Sequence, residues 1–187
     1  SLVRTINKAL AEATTRETVE AEVCGIIAQS NPYVFAWIGE PDPETGKVQP
    51  RVSAGLEEDY LEEILVTSRD APTGQGPTGR AIRTEEIQVV QNIEEDPDYE
   101  PWRDDARERG YQSSAAVPLV LGEMHYGTLN IYSDRPYAFD QAEQDVLSEL
   151  GNTIARAIER TESRRDLHTF REAVEQAGHA IYWTDRD

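Results

Sequence analysis

A single cysteine, Cys24, stands in 187 residues, and a lone thiol closes no intramolecular disulfide and builds no cysteine-based metal cluster. Lysine is almost as scarce: Lys8 and Lys47 are the only lysines among 18 basic residues, and 36 acidic residues leave a net charge of −18. Such a surface repels nucleic-acid phosphates and anionic lipid. Abundant carboxylate with little lysine fits a protein of a high-salt cytoplasm, where concentrated ions screen self-repulsion; an ordinary acidic bacterial domain is the alternative. No apolar run approaches the roughly 20 residues that cross a bilayer, and no charged then apolar leader opens the chain. The expectation is a soluble, cytoplasmic polypeptide without a membrane partner. Three histidines, His125, His168 and His179, are too scattered to form a metal set or a nucleophile–base pair. No metal site, no catalytic residue and no enzymatic activity is therefore expected of this chain.

What is present is a hairpin. Ser114 to Leu121 is β-branched and aliphatic, Gly122-Glu123-Met124 interrupts it, and His125 to Ser133 resumes with alternating side chains. The alternation places Gly127, Leu129 and Ile131 on one face and Tyr126, Thr128, Asn130 and Tyr132 on the other, apolar on one side and polar on the other. Asp134-Arg135-Pro136 ends the strand. Asp140 then reads as the N-cap of a helix, with Glu143 reaching back in a capping box.

Upstream, Leu2, Ile6, Leu10 and Ala13 share one helical face, and Val19, Val23, Ile26 and Ile27 share a second after Thr15-Arg16-Glu17. Cys24 adjoins that second stripe and reads as a buried structural thiol. After Asn31-Pro32, Tyr33 to Gly39 is a strand with Tyr33, Phe35 and Trp37 on one side and Val34, Ala36 and Ile38 on the other. The turn at Asp42-Pro43-Glu44-Thr45-Gly46 leads to a partner strand, Lys47 to Ala54. Glu57 to Val66 is helical, with Tyr60, Leu61, Ile64 and Leu65 inward. Gly74-Gln75-Gly76-Pro77-Thr78-Gly79 satisfies G-x-G-x-x-G, but a helix and a polar stretch precede it where a dinucleotide site needs a strand. Its plainer account is a short helix opened by Pro77, with glycines letting the backbone come close to the sheet. Ile87 to Val90 is a strand, Gln91 to Tyr99 an acidic loop, and Arg103 to Arg109 a helix ended by Gly110. Trp102 reads either as a lid or as an anchor for its loop.

The set Gly76 to Ile82, Ile87 to Val90, Pro101-Trp102, Gly110 to Ser113, and the hairpin running into its capped helix falls in the order found in GAF domains. It resembles those of microbial sensor kinases and, more closely, haloarchaeal regulators of the bacterio-opsin activator type. The resemblance covers about residues 1–161. It implies an α/β (α+β) fold: an antiparallel sheet with the terminal helices on one face and short helices plus loops over the other. It also implies a non-catalytic sensing and dimerisation module of a larger signalling protein, a histidine kinase of a two-component system or a transcription regulator. Any ligand is expected between the sheet and the Gly74 to Ile82 and Asn92 to Tyr111 segments, against Phe35, Trp37, Trp102, Thr128, Asn130 and Tyr132, since an apolar wall with few polar groups suits a small molecule.

Alternatives within the resemblance are a dimeric spacer with a vestigial pocket and a cyclic-nucleotide binder. The latter's motif is echoed only by Phe139, Asp140 and Glu143. GAF domains that carry bilin attach it through Cys beside His, whereas Cys24 precedes Gly25, so no covalent bilin and no other cofactor is expected. GAF-type free-methionine-sulfoxide reductases rely on several cysteines. The final helix, Asp140 to about Arg165, sets Leu147, Leu150, Ile154, Ala157 and Thr161 at steps of three and four. That spacing predicts a homodimer seam, with Leu2, Ile6 and Leu10 alongside; a long helix packing on its own sheet is the alternative. Residues 162–187 read as a linker helix and the start of a PAS domain, with a first strand at Trp183, so the chain is expected to be a piece of something longer.

Overall fold

The computed structural model describes residues 1–55 and 60–184. Helix α1 (Leu2–Glu12) is capped by the Ser1 hydroxyl, which accepts from the Arg4 N–H, and α2 (Arg16–Ala28) is capped likewise by Thr15. The chain continues through β1 (Tyr33–Pro41), β2 (Val48–Gly55), α3 (Tyr60–Glu63), α4 (Pro77–Thr84) and β3 (Gln88–Val90). A 3-10 turn, Pro97–Trp102, then leads into α5 (Arg103–Arg109), the hairpin β4 (Ser113–Leu121) and β5 (Met124–Ser133), and α6 (Gln141–Thr184).

The strands form one antiparallel sheet in the order β2-β1-β5-β4-β3. Because β5 inserts beside β1, the chain between β2 and β3 must cross from one edge of the sheet to the other. That crossing carries α3 and α4 over one face, while α1, α2 and α6 cover the opposite face. Each face acquires its own core. Ile6, Val23, Ile27, Leu129, Ile131, Leu147 and Ile154 pack beneath the terminal helices, and the other core is aromatic. This is the sheet with segregated helices that the sequence predicts.

Four local expectations are corrected. A register shift between Tyr33 and Phe35 turns Tyr33 onto the helix face, where it stacks on Phe139 at 5.6 Å, leaving only Phe35 and Trp37 on the other side. In β5, the pairing slips between Pro118 and Val120, so Tyr126 and Gly127 together oppose Leu119. This bulge sends Tyr126 to the helix face, under the Arg16 guanidinium at 5.6 Å. Asp140 does cap α6, accepting from the Glu143 N–H at 2.8 Å, but the Glu143 carboxylate accepts from the Tyr33 hydroxyl instead of closing a capping box. The expected helix from Glu57 is, in its described part, the single turn of α3; residues 57–59 lie outside the described residues. Leu65, past the end of that turn, is exposed.

Gly127 is the residue the bulge requires. Its φ is +108°, and a Cβ there would lie 2.3 Å from the Gly39 carbonyl oxygen on the neighbouring strand. Gly127→Ala should therefore cost about 2 kcal/mol or more, read as a lower denaturant midpoint at unchanged m-value.

α6 departs most from expectation. Leu147, Leu150, Ile154, Ala157 and Thr161 are all buried in the domain's own core, as are Ile6 and Leu10 of α1. They are no dimer seam: steps of three and four fit a helix lying on a sheet as well as a supercoil. At its far end α6 is helical through Thr184, so no strand forms at Trp183. A helix satisfies its own backbone groups, whereas a strand needs a neighbour.

Candidate functional site

Phe35 and Trp37 rise from β1 and Tyr132 from β5 into a basin on the sheet face away from the terminal helices. Tyr60 from α3, Tyr99 and Trp102 from the 3-10 turn, and Tyr111 after α5 close over them. The rings interlock: Phe35 stacks on Tyr111 at 5.9 Å, Tyr111 tilts onto Tyr132 at 4.9 Å, and Tyr60 meets Tyr132 edge-on at 5.6 Å. Edge and offset contacts of this kind stabilise beyond simple burial. The Arg109 guanidinium lies 5.2 Å from the centre of the Tyr60 ring.

Polar atoms converge within this apolar setting. Trp37 Nε1 donates to the Tyr132 hydroxyl at 3.1 Å, and the Tyr60 and Tyr99 hydroxyls lie 3.4 Å apart. Under α4, the Thr78 hydroxyl donates to Asn130 Oδ1 at 2.7 Å, while Asn130 Nδ2 donates to the carbonyls of Thr128 and Trp37. Among the described residues, the buried Thr128 hydroxyl has no hydrogen-bond partner. Burial pushes the Tyr60 and Tyr99 hydroxyls well above the ordinary tyrosine range and raises Tyr132 as well. All three therefore remain protonated donors at neutral pH.

Because their folded-state pKa values are raised, stability contributed by these tyrosines is complete below the unfolded value near 10 and falls as pH climbs beyond it. Phenolate absorbance from Tyr60, Tyr99 and Tyr132 should appear only together with loss of near-UV dichroism in an alkaline titration. Smooth ionisation of all tyrosines in a still-folded protein would contradict this burial.

The G-x-G-x-x-G stretch forms the rim. An added Cβ would lie 1.8 Å from the Arg69 carbonyl oxygen at Gly74, 2.4 Å from the Trp102 ring at Gly76 and 2.3 Å from the Gly74 carbonyl oxygen at Gly79. The glycines are there for close packing, with Pro77 opening α4. Trp102 is anchored by Nε1, which donates to the Leu65 carbonyl at 2.9 Å, and its ring roofs the basin over Gly76. Lid and anchor are one residue. Between Tyr60, Ile64, Val66, Gly76, Pro77, Thr78, Tyr99, Trp102 and Tyr132 a cavity of about 10 Å³ remains, room for about one water.

Of the six residues singled out in the sequence, Phe35, Trp37, Trp102 and Tyr132 share one aromatic cluster, and Trp102 and Tyr132 line its cavity. Thr128 and Asn130 belong to the same sheet face but lie to one side, Asn130 being held by Thr78. Tyr60, Tyr99 and Tyr111 were not among the expected site residues. Large aromatics inside otherwise charged or polar segments were the available signal. Cys24 sits on the opposite face, its thiol pushed up to about 12 by burial and by Glu20 nearby. Among the described residues, no three His, Cys, Asp or Glu are placed to hold a metal ion, and no helix is long and apolar enough to cross a membrane.

The model of the GAF domain family matches residues 13–159, and the chain belongs to that family, whose members are generally sensing or regulatory modules. The GAF domain of a phosphoenolpyruvate-protein phosphotransferase from Coxiella burnetii superposes with a TM-score of 0.71 at 18% identity, over 88% of this chain and 95% of that one. The corresponding Acinetobacter domain gives 0.68 at 16% identity, over 88% and 95%. Free methionine-R-sulfoxide reductase from Neisseria meningitidis, solved with its substrate, gives 0.71 at 18%, over 87% and 89%. In sequence, a proposed transcriptional regulator of Haloferax volcanii is 26% identical over 171 residues. The match takes in 89% of this chain but only 27% of that relative's length.

Proposed function

We propose that this chain is a small-molecule-sensing regulatory module of a multidomain signalling protein, and that its ligand is received in the aromatic basin. The observation that carries this reading is the cost of the basin's polar groups. An inert core would use Phe for Tyr60, Tyr99 and Tyr132, whose hydroxyls here are bonded by Trp37 and by one another, and Val for Thr128, whose buried hydroxyl has no partner among the described residues, a state that costs about 1–3 kcal/mol. Groups kept at that cost serve something that binds. The cavity lining carries no charged side chain, which favours a neutral, flat or apolar ligand offering acceptors to the tyrosine hydroxyls and argues against a cyclic nucleotide. Admission requires Trp102 to swing from Leu65. The basin offers no nucleophile or base, so the module is read as regulatory rather than catalytic. The Haloferax relative supports a transcription regulator as host, with a sensor kinase as the other candidate; residues 162–187 would then lead toward a further domain, of PAS type.

A second reading rests on the cavity of about 10 Å³: a closed spacer that only transmits geometry. Native mass spectrometry of protein purified from its own host separates the two. The sensing reading expects a retained molecule that Trp102→Ala releases. It also expects Thr128→Val to be neutral or stabilising by up to about 1 kcal/mol while weakening retention. Absence of any retained mass, with no thermal shift across a metabolite library, would leave the spacer.

A further inference from the structure

On the helix side of the sheet, away from the aromatic basin, a cleft of about 460 Å³ opens where the corner between α1 and α2, the strand β2 and the helix α6 meet. Its size falls within the range of about 300–1,000 Å³ usual for small-molecule sites, whereas the basin retains about 10 Å³. Every side chain lining it is threonine, arginine or glutamate. Such a wall gives an aromatic or aliphatic ligand nothing to bury against and selects for charge.

The protein's own bonds show which charges are left over. Arg16 is spent: it donates to Glu20, to Glu162 and to the Tyr126 carbonyl, and so holds Glu162 at the wall. Arg51 uses Nε on Glu20 and Nη1 on Glu40, and its Nη2 has no partner among the described residues. Glu162 gives Oε1 to Arg16 and keeps Oε2. Glu17, near enough to act on the Arg51 charge, and Arg165 form no hydrogen bond or ion pair among the described residues. Thr161, Glu162 and Arg165 reach the cleft together because positions three and four apart share a helix face.

The uncommitted groups are therefore two guanidiniums, Arg51 and Arg165, and two carboxylates, Glu17 and Glu162. A simple anion entering this space meets both carboxylates, and a polyamine meets both guanidiniums. A molecule that carries both charges satisfies both pairs. We infer that the cleft binds a free α-amino acid with a polar side chain: its carboxylate accepts from Arg51 and Arg165, and its ammonium group donates to Glu17 and Glu162. Hydrogen bonds with both partners ionised are about twice as strong as neutral ones. The exposed Thr14 hydroxyl, also without a partner among the described residues, serves the polar remainder of the ligand. A ligand so held bridges α2, β2 and α6 at the point beyond which every side chain from Ser163 to His179 is exposed. The site stands independently of whatever the basin receives.

Titrating the isotopically labelled chain at one fixed KCl concentration tests this by NMR. L-Glutamine, L-serine or L-asparagine should move the amide resonances of Thr14 to Glu17 and Thr161 to Arg165 saturably, with a midpoint of about 1 mM, while those of Tyr60 and Tyr132 stay in place. For the tightest of the three, the N-acetyl form, which lacks the ammonium charge, and the methyl ester, which lacks the carboxylate, should each bind about ten-fold more weakly or worse. Glu17→Gln and Arg165→Gln should each weaken binding by about ten-fold at an unchanged melting temperature, since both side chains are exposed and make no bond that folding needs. Equal affinity for the acetylated form would make this a plain anion site, and equal affinity for the ester a cation site. Either result, shifts confined to the basin, no saturable shift with any of the three amino acids, or variants that bind as tightly as the wild type would overturn the proposal.

Discussion

Moving the protein from about 0.1 M to about 1 M KCl should raise its melting temperature by on the order of 10 °C. The net charge of −18 sits on a folded body that, for this length, has a radius of gyration of about 16 Å, against about 46 Å unfolded. Treated as a charged sphere, the folded state carries self-repulsion of order 10 kcal/mol where the Debye length is about 10 Å, and less than half of that where it is about 3 Å. The unfolded chain spreads the same charge widely and changes little. The difference, about 5 kcal/mol in favour of folding, corresponds to 2–4 °C per kcal/mol for a chain of this size. Opposing this, exposed ion pairs such as Arg107–Glu94, 2.8 Å apart, weaken with salt, but such pairs are individually worth little. A melting temperature flat across this range would mean that local pairing, not net charge, governs the surface.

How much of this was legible in the sequence depends on the range of the interaction that decides each feature. Most helices and strands rest on local periodicity, and the cap at Asp140 on a local hydrogen bond, so these were readable. Side-chain direction failed where the sheet breaks its own alternation. Tyr33 and Tyr126 flank register shifts whose cause lies in a neighbouring strand, and nothing adjacent in sequence announces them, although Gly127 marks one. The seam on α6 failed for a different reason: a stripe names a buried face but not what buries it.

The site was half legible on the same grounds. Phe35, Trp37 and Tyr132 lie on strands whose alternation could be followed. Tyr99 and Tyr111, in contrast, come from the Asn92 to Tyr111 segment, which was expected over the sheet although its irregular backbone gives no periodicity to say which side chains turn inward. Both fall in polar surroundings where solvent exposure is the usual expectation.

A second large effect lies on the far side of the sheet. Glu20 on α2 is 0% exposed yet ionisable, and its carboxylate is held by Arg16 Nε at 2.7 Å and Arg51 Nε at 2.7 Å. Arg16 does more: it donates to the Tyr126 carbonyl beside the β5 bulge at 2.9 Å and to Glu162 at 3.2 Å, the last partly buried residue before α6 leaves the domain. One guanidinium thus ties α2, the bulge and the helix exit together, while Arg51 brings in β2 and Glu40 at 3.3 Å. Burying these charges is tolerable only because every one is met. Glu20→Gln keeps the shape and removes the charge, leaving two guanidinium groups facing each other across an amide. We expect a loss of about 3–5 kcal/mol, the usual cost of breaking a buried pair from one side, or about 10 °C in melting temperature. Arg51→Gln should cost less, since Arg16 still neutralises Glu20, and the double variant should lose less than the sum of the two. Unlike the surface repulsion, this loss should largely persist in molar KCl, because the Glu20 carboxylate is 0% exposed and a pair with a buried partner is screened much less than one at the surface. Additive losses, or a Glu20→Gln deficit that vanishes with salt, would show that the network contributes only as surface charge.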